Sequence, residues 1–165
     1  MGQADTVERV SDDLITPYER FAVLLRSGGF GPPRPGHWDA QQIAAHVALN
    51  NLGFATAARA VAAGQDDVAY DNVSTVDLAV LDKYVADTGG VDALAGAVLA
   101  TARHQLDAYE ALSDAQRLQE IPVTIHHDGA VIMDRVPRTL GSMVEGNADF
   151  HLQAHLEQLL ALRSD

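Results

Sequence analysis

Apolar residues recur at steps of three and four along most of this chain, and this helical period constrains the fold more than any other feature. Four stretches carry the period, and glycine or proline residues separate them. They begin near Thr6, Asp39, Val91 and Thr139. Long amphipathic helices in a chain of 165 residues pack most simply side by side. The sequence predicts a mainly all-α fold, an antiparallel four-helix bundle forming a single domain over residues 1–165.

The first two helices have recognisable ends. The first is predicted to run to about Ser27, and Pro17 leaves open either a kink or a short lead-in helix. Its apolar stripe consists of Val10, Leu14, Tyr18, Phe21 and Leu25. Asp39 and Gln42 form a capping pair for the second helix, in which Trp38 is placed to pack on Ile43. The second apolar stripe consists of Ile43, Val47, Asn50, Phe54, Ala57 and Val61.

Between the third and fourth long helices the apolar period changes to two. Ile121, Val123 and Ile125 lie on one face of a predicted strand, and Asp128–Gly129 is a two-residue turn signal. A second strand follows over residues 130–136, so we expect a short β-hairpin there. Earlier in the chain, residues 66–74 are interpreted as a polar connection and residues 75–87 as a shorter helix.

Composition excludes several classes of function. The formal net charge of −12 repels phosphate, which argues against nucleic acid and anionic membranes as partners. No stretch resembles a membrane span or a secretory signal, so we expect a cytoplasmic protein. Because the chain has no cysteine, any metal must be bound by His, Asp or Glu. The expected partner is a small-molecule substrate, and a homodimer is left open.

The histidines are the strongest candidates for chemistry. His151 and His155 lie four residues apart, so both project from the same side of the last helix toward the predicted interior. His46 lies at the margin of the apolar stripe of the second helix. Three imidazoles that meet from two helices can bind a divalent metal and leave a coordination position open. On spacing alone, a metal site and hydrogen-bonded core histidines remain equally open.

Other polar residues are weaker candidates. His126 and His127 flank the predicted turn and point to opposite faces, so at most one of them faces the helices. Asn50 is interpreted either as a contact to a cofactor or to His46, or as a side chain that satisfies nearby backbone. His37 and His104 are expected at the surface. The roles of Arg59, Arg135 and Arg138 are left open between a substrate carboxylate and pairing with Asp or Glu.

Two segments resemble the DinB/YfiT-like superfamily. The segment HWDAQQIAAHVALNN contains a tryptophan and then a histidine eight residues later, and GNADFHLQAHLEQLLAL contains His-x-x-x-His. The superfamily consists of metal-binding four-helix bundles that include mycothiol- and bacillithiol-dependent enzymes. The resemblance implies that His46, His151 and His155 are the metal ligands. Maleylpyruvate isomerases of this superfamily have a carboxylate as the middle ligand and a further C-terminal domain, whereas this chain has His151.

The resemblance also implies a function. A divalent metal, zinc or nickel, would activate a low-molecular-weight thiol, which the protein would transfer to a small electrophile or use in an isomerisation. Two alternatives remain open. One is a metal- or ligand-binding stress-response bundle without turnover. The other is a metalloenzyme of specialised metabolism that uses metal-bound water and no thiol.

Overall fold

Helices dominate the chain in the computed structural model, which describes the backbone of residues 4–163 and the side chains of residues 14–163. The helices are α1 (Ala4–Ser27), α2 (Ala40–Ala62), α3 (Val73–Val76), α4 (Leu78–Thr88), α5 (Gly90–Glu110), α6 (Asp114–Arg117), α7 (Leu140–Gly146) and α8 (Leu152–Ala161), with a π-helical turn at Asn147–His151. The Val10 side chain and the termini of the predicted domain lie outside these described residues.

A small mixed sheet of three strands accompanies the helices. The strands are β1 (Tyr70–Asp71), β2 (Glu120–His127) and β3 (Ala130–Thr139). β2 pairs with β3 antiparallel and with β1 in parallel. Asp128 and Gly129, both at positive φ, form the predicted turn between β2 and β3. β1 lies in a segment interpreted as connection, because two residues are too few to show a period.

The predicted apolar stripes form the core among the described side chains. Tyr18, Phe21 and Leu25 of α1 are fully buried, and the predicted stripe of α2 is buried throughout. α5 contacts both α1 and α2, and α8 also contacts α1 and α2. Burial of these aliphatic and aromatic side chains is the main favourable contribution to folding. No helix in residues 4–163 combines the length and apolarity needed to cross a membrane.

Local signals agree with several predicted helix ends. Asp39 accepts hydrogen bonds from the backbone of Gln41 and Gln42, and the Gln42 side chain accepts one from Asp39 N, which completes the capping box. α1 continues through Pro17 as one helix. Thr139 caps α7, because its hydroxyl accepts from Ser142 N.

The predicted last helix is not a continuous α-helix. Five residues, Asn147–His151, adopt a π-helical turn between α7 and α8. A π turn holds an extra residue and changes the direction in which the following side chains project. Asn147, Ala148, Leu152 and His155 are buried, while His151 is half-buried. The regular period of the sequence does not reveal this change.

Candidate metal centre

Three histidine rings meet where α2 approaches the π turn and α8. The Nε2 atom of His151 lies 2.9 Å from Nε2 of His46 and 3.0 Å from Nε2 of His155. The three possible ligand atoms all lie within 4.8 Å of one another. The structure thus brings together the three residues that the sequence singled out as metal ligands.

Hydrogen bonds on the opposite ring nitrogens orient two of these rings. His46 Nδ1 lies 2.6 Å from the carbonyl oxygen of Thr75, and His155 Nδ1 lies 2.8 Å from Oε1 of Gln158. A carbonyl oxygen only accepts, so each Nδ1 carries the proton, and in the neutral ring each Nε2 presents a lone pair. Binding of Nδ1–H to a carbonyl is the usual support of a histidine that binds metal through its other nitrogen.

Burial keeps the three rings neutral. Loss of hydration is the main cause that lowers the pKa of His46 to about 3, and the neighbouring His155 lowers this pKa further. The same desolvation lowers the pKa of His151 well below its usual value and also lowers the pKa of His155. Neutral imidazoles are the form that binds a metal.

Two of the three nitrogen separations are close to those expected around a divalent cation. Two imidazole ligands of one tetrahedral zinc ion, each about 2.05 Å from the metal, are roughly 3.3 Å apart. The Nε2 separations of 2.9 and 3.0 Å come within a few tenths of an ångström of this value. His46 and His155 each present an Nε2 lone pair, and an Nε2–H on His151 can donate to only one of these two lone pairs. One cation, by contrast, can accept lone pairs from all three nitrogens.

A tryptophan packs against the centre. The ring of Trp38 lies 4.8 Å from His46 and 6.4 Å from His155, centroid to centroid. The predicted packing of Trp38 on Ile43 stays a prediction, and the aromatic contacts of Trp38 are to His46 and His155. Trp38 and Gln158 also line a cleft of about 460 Å³, so two residues that contact the histidines border this cleft, while the three histidines themselves are not among its lining residues.

Asn50 joins the centre to buried polar side chains. Its Nδ2 donates to Oδ1 of Asn147 at 2.8 Å and lies 3.5 Å from Nδ1 of His151, while its Oδ1 accepts from the Tyr70 hydroxyl. Asn147 Nδ2 lies 3.0 Å from Oε1 of Gln105 and is equally close to oxygens of Tyr18 and Asn51. The predicted role of Asn50 in cofactor binding stays a prediction.

None of the remaining candidates belongs to the group of three converging rings. His126 pairs with Asp71 at 3.1 Å, while His127 lines the cleft. His104 Nδ1 lies 3.1 Å from Nη2 of Arg59, away from the centre. Exposed His37 also lines the cleft.

Pairing of arginine with Asp or Glu, one of the expected alternatives, is not what the structure shows. Among residues 14–163, no arginine side chain forms an ion pair with a carboxylate, and the ion pairs present involve lysine or histidine. Arg117 instead stacks over Tyr109, and Arg59 contacts His104.

Sequence reasoning missed several residues of the centre. Asn147 lies four residues before His151, a spacing that places both on one side of a regular helix, and Gln158 lies three residues after His155. Either spacing could have indicated from the sequence that Asn147 and Gln158 lie near the histidines. Thr75 contributes only its backbone carbonyl, so no side-chain pattern points to it.

Comparison of the chain with models of protein families, with curated proteins and with solved structures found no match in any of the three. The similarity to DinB/YfiT-like proteins therefore stays a prediction carried by the sequence segments around His46 and His151.

Proposed function

We propose that His46, His151 and His155 bind one divalent metal, zinc or nickel, and that the protein is a metal-dependent enzyme. The convergence of three Nε2 atoms, two of them with Nδ1 bound to a carbonyl oxygen, carries this proposal. Three neutral imidazoles with an open coordination position are typical of catalytic rather than structural metal sites.

The proposal extends to the fold. The long helices α1, α2 and α5, together with the segment from α7 to α8, are proposed to form an antiparallel four-helix bundle of the DinB/YfiT kind, with the β2–β3 hairpin before the last helix. Contacts of α5 with α1 and α2, and of α8 with α1, support it. In such bundles, metal ligands project inward from facing helices, as His46 and the His151–His155 pair do.

The proposed reaction is transfer of a low-molecular-weight thiol to a small electrophile, or an isomerisation that uses the same thiol. When bound, the metal would supply Lewis acidity, which lowers the pKa of a thiol in the open position. The protein contributes the orientation of the ligands through Thr75 and Gln158 and an apolar surface from Trp38. Since the chain has no cysteine, the sulfur must come from a second molecule.

The cleft beside the centre favours an enzyme over a bundle that only binds metal. Its volume of about 460 Å³ lies in the range of small-molecule sites, and two of its lining residues, Trp38 and Gln158, contact the histidines, which do not line it themselves. A site filled by protein side chains would favour metal binding without turnover.

Metal binding is tested first. Apo-protein is titrated with zinc and with nickel in competition with a chromophoric chelator, and one ion per chain is expected. His46→Ala, His151→Ala and His155→Ala are each expected to weaken binding at least about a hundredfold, because two imidazoles remain. His104→Ala removes a histidine outside the centre and serves as the matched control. Equal binding by the unaltered protein and all four variants would overturn the proposed site.

Thiol chemistry is tested on the zinc and nickel forms. Monochlorobimane is mixed with low-molecular-weight thiols; the sulfur–carbon bond forms as the carbon–chlorine bond breaks, chloride leaves, and the thiol proton passes to solvent. Faster product formation by the metal form than by His46→Ala supports the transferase. If the metal binds but no thiol in the panel reacts faster, the transferase proposal fails and the two alternatives without a thiol are favoured.

A further inference from the structure

The cleft beside the three histidines has an arginine at its wall. Besides Trp38 and Gln158 it is lined by Ile43, Val76 and Arg34. Trp38, Ile43 and Val76 provide an apolar surface, while Arg34 provides the only guanidinium in the lining. A pocket with apolar walls and a few polar groups is the usual form of a site for a small organic molecule.

The loop that carries Arg34 is stiff and is fixed at both ends. Pro32, Pro33 and Pro35 surround Arg34 in the sequence, and each proline restricts φ. The backbone N–H of Gly31 donates to the carbonyl oxygen of Leu162 at 2.7 Å, which ties the start of the loop to the end of α8. At its other end the loop enters α2 through the capping box at Asp39. The Arg34 backbone is therefore held in place before a ligand arrives.

The guanidinium of Arg34 pairs with no carboxylate among the side chains of residues 14–163. Within the described side chains it forms neither an ion pair nor a hydrogen bond, although the chain carries 23 acidic residues. Asp128 also lines the cleft, but its Oδ2 lies 3.4 Å from Nε2 of His127 and not against Arg34. Within the described part of the chain, the Arg34 guanidinium is thus a positive group without an ionic partner in a protein of net charge −12.

We propose that this cleft binds a small organic acid, with its carboxylate on Arg34 and its apolar body against Trp38, Ile43 and Val76. A guanidinium donates two parallel N–H bonds to a carboxylate, a geometry that neither an amide nor an alcohol can accept equally well. The proposal deepens the proposed function, because it names the class of substrate that the cleft would bind. Binding of the acid does not require the metal, but its role as a substrate rests on the proposed function.

Trp38 makes the test specific to this site. It is the single tryptophan of the chain and lines the cleft, so the intrinsic tryptophan fluorescence reports on occupation of the cleft. The probes are 3-phenylpropionate and its neutral amide, titrated into metal-free protein and into the zinc form. We expect 3-phenylpropionate to change the Trp38 emission and to bind about tenfold more tightly than the amide in both forms.

Variants identify the group that selects the acid. Arg34→Gln is expected to remove the tenfold preference, and Arg34→Lys to keep part of it, because lysine retains the charge without the paired donors. Asp128→Asn is expected to strengthen binding of the acid, since it removes a negative charge from the cleft. Arg59→Gln, an exposed arginine beside His104, is the matched control and should bind as the unaltered protein does.

The outcomes separate this inference from the proposed metal function. Equal binding of acid and amide, or an unchanged preference in Arg34→Gln, overturns the acid site even if zinc binds at the histidines. Conversely, a preference that depends on Arg34 supports the acid site even if no zinc binds, and then the metal function alone fails. Folding of the variants is checked by circular dichroism, and Arg34→Lys provides a second variant with the charge retained.

Discussion

The Nδ1 atom of His46 lies 2.6 Å from the carbonyl oxygen of Thr75, a residue 29 positions further along the chain. This contact directs Nε2 of His46 toward His151. The short helix α3 holds the carbonyl in place, because both N and Oγ1 of Thr75 bond to the carbonyl of Asn72 at 2.9 Å. The orientation of a candidate metal ligand on α2 is thus determined by a backbone group on a different helix.

Gln158→Ala should weaken metal binding without unfolding the protein. Gln158 Oε1 accepts from His155 Nδ1 at 2.8 Å, and loss of such a partner typically lowers metal affinity by about tenfold or more. Zinc competition with a chromophoric chelator measures the change. Gln153→Ala is the matched control, because Gln153 lies on the same helix and bonds to the exposed Glu157 instead. Equal affinities of the two variants would contradict the role given to Gln158.

Asn147→Ala should destabilise the fold strongly. The Asn147 amide bonds to Asn50, Asn51, Tyr18 and Gln105 in the buried interior, so truncation leaves several polar groups without a partner. We expect a loss of about 3 kcal/mol in the free energy of unfolding.

Urea denaturation of metal-free protein measures this loss. Asp149→Ala changes an exposed side chain of the same π turn and is expected to stay within about 0.5 kcal/mol of the unaltered protein. A similarly small effect of Asn147→Ala would show that the buried polar side chains contribute little to stability.

Gly53→Ala and Gly96→Ala should have opposite effects. A Cβ at Gly53 would lie 3.0 Å from Cε2 of Tyr70, whose ring stacks on Phe54 at 4.3 Å. Displacement of this ring is expected to cost about 1–3 kcal/mol. A Cβ at Gly96 meets nothing within 4 Å, so alanine there should gain up to about 1 kcal/mol from helix propensity. Thermal unfolding of both variants checks the difference in sign.

Asp39→Ala should lower stability by about 1 kcal/mol, because the Asp39 side chain accepts two backbone N–H groups at the start of α2. Urea denaturation measures the loss. Asp66→Ala is the control, because Asp66 is an exposed aspartate in the connection after α2. This variant removes the same charge but no helix cap. If the two variants lose the same stability, the effect comes from charge and the cap contributes nothing.

The candidate ligands could be proposed from sequence because each of them follows a local rule. His46 belongs to the helix that starts at the Asp39 cap, and the spacing of His151 and His155 brings their rings to one side of a helix. The strands β2 and β3 were predictable for a similar reason: alternation and the Asp128–Gly129 turn act between neighbouring residues.

The sequence alone determined the helical period, the ends of α2 and the identity of the three histidines, because these depend on residues a few positions apart. Only the tertiary structure decided that Trp38 packs on His46, that Arg34 lines the adjacent cleft and that a π turn begins at Asn147 in the last helical segment. The physical reason is that each of these depends on groups distant in the chain. Three groups reach their partners only after the helices have packed: the carbonyl of Thr75, the hydroxyl of Tyr70 and the amide of Gln105.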